Sequence, residues 1–352
     1  MKKIFKFLVL ILCITYLSGC NRDEIVNPPI DVNALVGAYI LSEGGSAVGS
    51  SKLSFYNLVS DNFSENIFTP GALGLFPDGL INDNGQLFLT EQGNFGSAGK
   101  IYKLDSNGLV KDFQSVGTNP YSIASANGKL YLTNGPANNV SVVDKNSLNI
   151  ITTVNVGLYP QEIISIGNKV FVCNTSVFAG GTDSTVSVID ASSDQVIATI
   201  KVRKKPSSLA VTNDEKLLVG CPGSAATGII YKLDPGNYSK LDSFVINNPP
   251  ASGFDKDIAV DRNNNTIYFI SFFNNIAKYD MVTRAQSVFI NNFNTSDNFY
   301  YGYNYDSKNR KHYIANAKNF LVNGSIIVYD ANGNITRTYT TGIAPRRIVI
   351  KN

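Results

Sequence analysis

The sequence predicts an all-β fold: a seven-bladed β-propeller of four-stranded antiparallel blades, its ring closed by the C-terminal strand joining the N-terminal blade. Three observations predict it. One strand motif occurs seven times, a second strand follows each copy, and a turn, usually carrying proline, introduces a further strand before most copies.

The recurring motif alternates apolar residues and ends in a small polar or acidic group. It appears as GAYILSE (37–43), GQLFLTE (85–91), GKLYLTN (128–134), NKVFVCN (168–174), EKLLVGC (215–221), NTIYFIS (265–271) and RKHYIAN (310–316). The strand that follows closes on Asn57, Asp105, Asp144, Asp190, Asp234, Asp280 and Asp330, so the repeat is 39 to 50 residues long. The introducing turn places an apolar residue three positions after Pro77, Pro120, Pro160, Pro206 and Pro345, with Asp255/Ile258 and Tyr300/Tyr303 in the two units lacking proline. Tight polar hairpins such as Ala126-Asn127-Gly128 join it to the recurring motif. No segment sustains a helical apolar period. Four short strands at this period make a propeller rather than a sandwich, because each blade buries its faces against its neighbours.

The ends of the repeat array fit the same architecture. The last Pro-turn strand, 343–351, has no partners after it, and the first unit, from Gly37, has no Pro-turn strand before it. Joined, they make one blade and close the ring by strand pairing.

Composition narrows the function. With 43% hydrophobic and 16% charged residues among 352, the chain is globular rather than disordered. Lys2, Lys3 and Lys6 supply the entire excess of 30 basic over 27 acidic side chains, so the body beyond residue 19 is neutral and carries no footprint for nucleic acid. One His and four Cys leave no multi-His zinc site and no CxxC pair. His312 has no recognisable nucleophile or carboxylate partner and reads as a packed strand residue. Cys173 and Cys221 fall in neighbouring blades and read as free thiols. No catalytic set, metal or cofactor is assigned.

Residues 1–19 read as a signal peptide: a basic start, an apolar run from Phe7 to Leu17, then Leu17-Ser18-Gly19 before Cys20. This ending resembles the bacterial lipobox, which implies lipidation of Cys20 and attachment to the membrane through lipid alone. Residues 20–36 form a tether stiffened by Pro28-Pro29, and 37–352 form the propeller. Arg22-Asp23-Glu24 behind Cys20 is similar to the surface-export signal of Bacteroidota lipoproteins, which implies an outer-membrane protein facing the exterior.

GKLYLTN followed by NNVSVVD (138–144) resembles the YVTN-type repeat of YncE-like and surface-layer propellers. Together with the leader, the resemblance extends to Bacteroidota surface propellers, including cobalamin-capture lipoproteins. It implies capture of a small-molecule or glycan ligand on the top face, with transfer to an outer-membrane transporter. A lactonase- or lyase-type enzyme and an adhesion or surface-layer component are the alternatives on the same scaffold.

Site residues follow from the blade plan. The innermost-strand entries surround the central opening and offer Asp78, Tyr121, Glu162, Lys256, Asp257, Tyr301, Arg346 and Arg347, either as a ligand mouth or as the solvated rim of a channel. The top-face loops add Phe95, Phe178, Phe272 and Phe320, which either line a pocket or seal gaps between blades. Glu43, Asp78 and Glu91, from adjacent blades, could also gather as oxygen ligands for a calcium ion.

Overall fold

The computed structural model describes residues 36–180, 182–223, 227–247, 253–292 and 298–352. The signal peptide, Cys20 and all of the tether but Val36 lie outside them. The described residues contain 28 strands and no helix.

Seven four-stranded antiparallel sheets form the blades. Blade 1 takes its inner strand from the C-terminus: β28 (Pro345–Lys351), β1 (Gly37–Ser42), β2 (Lys52–Asn57) and β3 (Asn62–Ser64). Blade 2 is β4 (Pro77–Asp83) to β7 (Val110–Thr118), through β5 (Gln86–Glu91) and β6 (Ala98–Leu104). Blade 3 runs from β8 (Pro120–Ala126) through β9 (Lys129–Asn134) and β10 (Asn139–Asp144) to β11 (Ile150–Asn155). Blade 4 comprises β12 (Pro160–Ile166), β13 (Lys169–Asn174), β14 (Thr185–Asp190) and β15 (Gln195–Lys201). Blade 5 comprises β16 (Ser208–Val211), β17 (Leu217–Cys221), β18 (Thr227–Leu233) and β19 (Lys240–Asn247). Blade 6 has β20 (Phe254–Asp261), β21 (Thr266–Ser271), β22 (Ile276–Asp280) and β23 (Gln286–Ile290). Blade 7 has β24 (Tyr300–Asp306), β25 (Lys311–Asn316), β26 (Asn323–Tyr329) and β27 (Ile335–Ile343). Each recurring motif is the second strand of its blade, as the strand introduced before it predicts.

The closure is a strand pairing with defined register, Ile40 opposite Ile348 and Gly37 opposite Lys351. Apolar packing seals it on the other side, where Ala38 and Ile40 of blade 1 meet Tyr313, Ala315 and Val328 of blade 7. Every other blade interface repeats this design, for example Val140 and Val142 against Val170 and Val172 between blades 3 and 4. Burial between blades therefore supplies the core, and no blade could fold alone.

Polar stitches at the top join the second strand of one blade to the inner strand of the next. Thr90 and Thr133, each next to last in its second strand, donate across to the Tyr121 and Gln161 carbonyls of the next blade, at 3.3 and 2.6 Å. The inner strands crowd so closely that a Cβ on Gly302 would fall 1.8 Å from the Arg346 carbonyl oxygen, which fixes glycine there.

Candidate functional site

The spacing of three residues from proline to the next apolar side chain is a β-bulge. Register skips from Pro77 to Leu80, from Pro120 to Ile123 and from Pro160 to Ile163, and shifts similarly at Phe254–Ala259, at Tyr300–Gly302 and opposite Arg346. A bulge frees residues from the ladder and re-aims their side chains. Here the freed residues include Asp78, Tyr121, Glu162, Asp257, Tyr301 and Arg346, which come together around the central opening with Arg347 and with Lys256, the latter two still paired opposite Leu41 and Ile270.

Ion pairs knit the inner layer. Arg346 donates to Asp257 at 2.7 and 3.2 Å and lies 3.8 Å from Glu162. Arg347 donates to Glu162 at 3.0 Å and to Asp78 Oδ1 at 2.7 Å. These groups border a cavity of about 190 Å³ within the channel, lined by Glu162, Asp257, Arg346 and Arg347 among others. Asp257 sits at φ 55°, a left-handed conformation, and accepts the Tyr303 amide at 3.1 Å, which anchors its carboxylate toward Arg346.

A second, larger hollow of about 460 Å³ opens at the top face. Glu43, Asp78, Tyr121 and Tyr301 form its inner side, and Phe76, Gln92, Asn119, Tyr159, Gln161 and Phe178 contribute the rest of its polar and aromatic lining. Tyr301 donates to both oxygens of the Glu43 carboxyl, at 3.0 and 3.1 Å. Lys256 points its ammonium at the Tyr301 ring, 4.7 Å from its centre. Arg346 and Arg347 lie 5.4 and 5.7 Å from the ring centres of Tyr301 and Tyr121.

Charge crowding shapes this region. Burial first, and Asp78 second, push the Glu43 carboxyl up to about 8, so near neutrality it holds its proton. Burial lowers Lys256, with Arg346 acting in the same direction, and burial raises Asp255. Asp78 is 1% exposed, and its Oδ2 has no hydrogen-bond partner among the described residues.

The loop phenylalanines divide. Phe178 lines the recess and packs edge-on against Tyr159 at 5.5 Å. Phe320 covers Tyr301, ring centres 4.9 Å apart, and also touches Phe299. Phe272 makes its ring contact with Phe273, and Phe95 is 77% exposed; neither lines the recess. The calcium grouping fails at Glu91, whose carboxylate turns into blade 2 to accept from Tyr102 at 2.6 Å and the Gly74 amide at 3.2 Å. Among the described residues no group of three His, Cys, Asp or Glu side chains could hold a metal ion. His312 is buried, and Cys173 and Cys221 are free buried thiols in one apolar cluster.

Sequence reasoning missed Phe76, Asn119 and Tyr159 as lining residues. Each precedes the proline of an inner strand and has positive φ, as do Lys205 and Ala344 before Pro206 and Pro345. That left-handed residue throws the chain over the top rim, so the position before each such proline was the available signal.

No protein-family model matches the chain, and no curated protein matches it in sequence. Solved structures do. A quinoprotein alcohol dehydrogenase-like protein from Bacteroides thetaiotaomicron aligns at 16% identity over 89% of this chain and 78% of that one, TM-score 0.67. A 6-phosphogluconolactonase-like propeller from Bacteroides fragilis aligns at 10% identity over 92% and 100%, TM-score 0.70. The periplasmic gluconolactonase of Pseudomonas aeruginosa aligns at 12% identity over 90% and 99%, TM-score 0.64. At such identities the likeness establishes the fold alone: a seven-bladed β-propeller with quinoprotein dehydrogenase-like and gluconolactonase-like propellers among its structural neighbours.

Proposed function

We propose that this chain is a lipid-anchored outer-membrane protein facing the cell exterior, which captures a small organic ligand in the top-face recess and delivers it to an outer-membrane transporter. One observation carries the binding reading: a hollow of about 460 Å³ whose inner wall combines two carboxyl groups with the Tyr121 and Tyr301 rings. Its volume falls in the range of small-molecule sites, and a few convergent polar groups among aromatics are what such sites use for orientation. The anchor rests on the Leu17-Ser18-Gly19-Cys20 sequence.

The test is native mass spectrometry of the protein extracted from its own membranes, comparing wild type with Tyr121→Ala and Tyr301→Ala. A retained small molecule absent from both variants supports the recess. Retention unchanged in both would reject it. Labelled fatty acid should enter the wild type and not Cys20→Ala, and external protease should reach the propeller on intact cells.

The Glu43–Asp78 pair favours a second reading. A protonated carboxyl beside a second acid is how a site divides acid and base roles, and lactone hydrolysis is the activity in the Pseudomonas neighbour's name. Gluconolactone hydrolysed faster than in buffer, and no faster in Glu43→Gln, would establish it.

A further inference from the structure

We propose that the top-face recess takes an organic ammonium ion, its nitrogen between Asp78 Oδ2 and the Glu43 carboxyl and its apolar body against Tyr159 and Phe178. This rests on the reading of the recess as the ligand site and names the class of ligand.

The lining decides the charge. Both ionisable acids that border the hollow, Glu43 and Asp78, are carboxyl groups, whereas Lys256, Arg346 and Arg347 are not among its lining residues. The guanidinium groups are committed to Asp257, Glu162 and Asp78 Oδ1. An anion would therefore meet two carboxyl groups with no free cation in the wall. Asp78 supplies the independent signal: an acid 1% exposed, whose second oxygen accepts nothing among the described residues. A buried carboxylate oxygen without a donor is costly, and an ammonium N–H completes it. The rings suit the same guest, because aromatic faces attract cations, and Tyr121 and Tyr301 already lie near the protein's own guanidinium groups.

Glu43 adds a linkage. The groups that face it are Asp78 from β4, Tyr121 from β8, Lys256 from β20, Tyr301 from β24, and Arg346 and Arg347 from β28. Burial and the Asp78 charge keep a proton on it to about 8. A bound ammonium does the proton's work, so binding near neutrality releases that proton.

Isothermal titration calorimetry of the full-length protein in detergent tests this with three probes of one shape: phenethylammonium, 2-phenylethanol and 3-phenylpropanoate. The ammonium should bind on the order of tenfold or more tighter than either analogue. Near pH 7 its heat should change with the ionisation enthalpy of the buffer, as proton release requires, and its affinity should climb as pH rises toward about 8. Glu43→Gln, which leaves every arginine ion pair in place, should abolish both the proton release and the pH dependence. Failure of the ammonium to bind, or binding by the alcohol or carboxylate that equals it, overturns the assignment. If an analogue wins and Tyr121→Ala abolishes its binding, only the cation class is lost and the recess stands as a ligand site. If none of the three binds, the cation class again falls, and the molecule recovered from native protein judges the recess by itself.

Discussion

Arg347 of blade 1 and Glu162 of blade 4 stand three blades apart in the ring, yet their side chains meet across the channel, Nη1 to Oε2 at 3.0 Å. Arg346, the preceding residue, reaches Asp257 of blade 6. Arg347 also holds Asp78 of blade 2. The last strand thus completes the first blade through its backbone and ties three others together through two guanidinium groups. The recess lies on the top side of this layer.

Removing Arg347 should cost more than losing a surface ion pair. Arg347→Ala leaves the buried Asp78 and the partly buried Glu162 without their main cation, and breaking a buried pair from one side costs about 3–5 kcal/mol. Urea denaturation should show that loss. The double variant with Glu162→Ala should cost less than the two single changes summed, since Glu162 is then no longer left without its cation and only Asp78 is stranded. Strict additivity would mean that the two side chains do not interact.

Truncation after Thr341 should abolish cooperative unfolding. It removes β28, both arginines and the edge that pairs with β1, so blade 1 loses its inner strand while the β1 edge is laid bare. A circular-dichroism melt that keeps the wild-type midpoint and sharpness would refute the closure.

Glu43 should make the protein less stable as pH rises. Its carboxyl ionises near 4.5 in an exposed setting and at about 8 in the fold, so the folded protein holds a proton that the unfolded chain has shed. The contribution is complete below about pH 4.5 and is lost as pH rises through about 8. In Glu43→Gln this dependence disappears. Melting temperatures measured from about pH 5 to about pH 9 should therefore fall more steeply for the wild type than for the variant. Parallel curves would show that Glu43 ionises freely in the fold.

The ring was legible because its signals are local. A short apolar run such as Leu87-Phe88-Leu89, buried on both faces between blades, sets a strand, and Pro77 with Leu80 sets the inner-strand entry; each recurs often enough to be counted. The inner residues were legible for the same reason, since the bulge that turns Asp78 or Tyr121 inward is carried by that spacing. What the sequence does not carry is partnership. Arg347 and Glu162 lie 185 positions apart, and their meeting depends on the diameter of the ring. Glu91 ends β5 and Glu43 directly follows β1, yet Tyr102 and Gly74 draw Glu91 into its blade while Tyr301 draws Glu43 to the mouth. Phe76, Asn119 and Tyr159 were missed because a residue before proline is expected to be extended, whereas here it is left-handed.

His312 should stay neutral well below the pH at which an exposed histidine takes up a proton. It lies buried on β25, its ring centre 4.4 Å from Tyr305, 4.7 Å from Phe289 and 4.8 Å from Tyr268, with Nδ1 2.8 Å from the Tyr303 hydroxyl. Burial lowers it from 6.5 to about 4, against the weaker pull of Asp261 and Asp330 in the other direction. The unfolded chain therefore binds a proton between those values that the folded protein refuses. Stability from this group is fully present above about pH 6.5 and is lost as pH falls through about 4. His312→Phe should remove that acid sensitivity, at a cost near neutrality of about 1–3 kcal/mol for stranding the Tyr303 hydroxyl. Tyr303→Phe in the same chain should recover part of that cost. Because the sequence contains one histidine, its imidazole resonances need no assignment by mutation. They should not shift between about pH 7.5 and about pH 5 in the folded protein. A titration centred near 6.5 would mean that water reaches His312, and the packing between blades 6 and 7 would have to be revised.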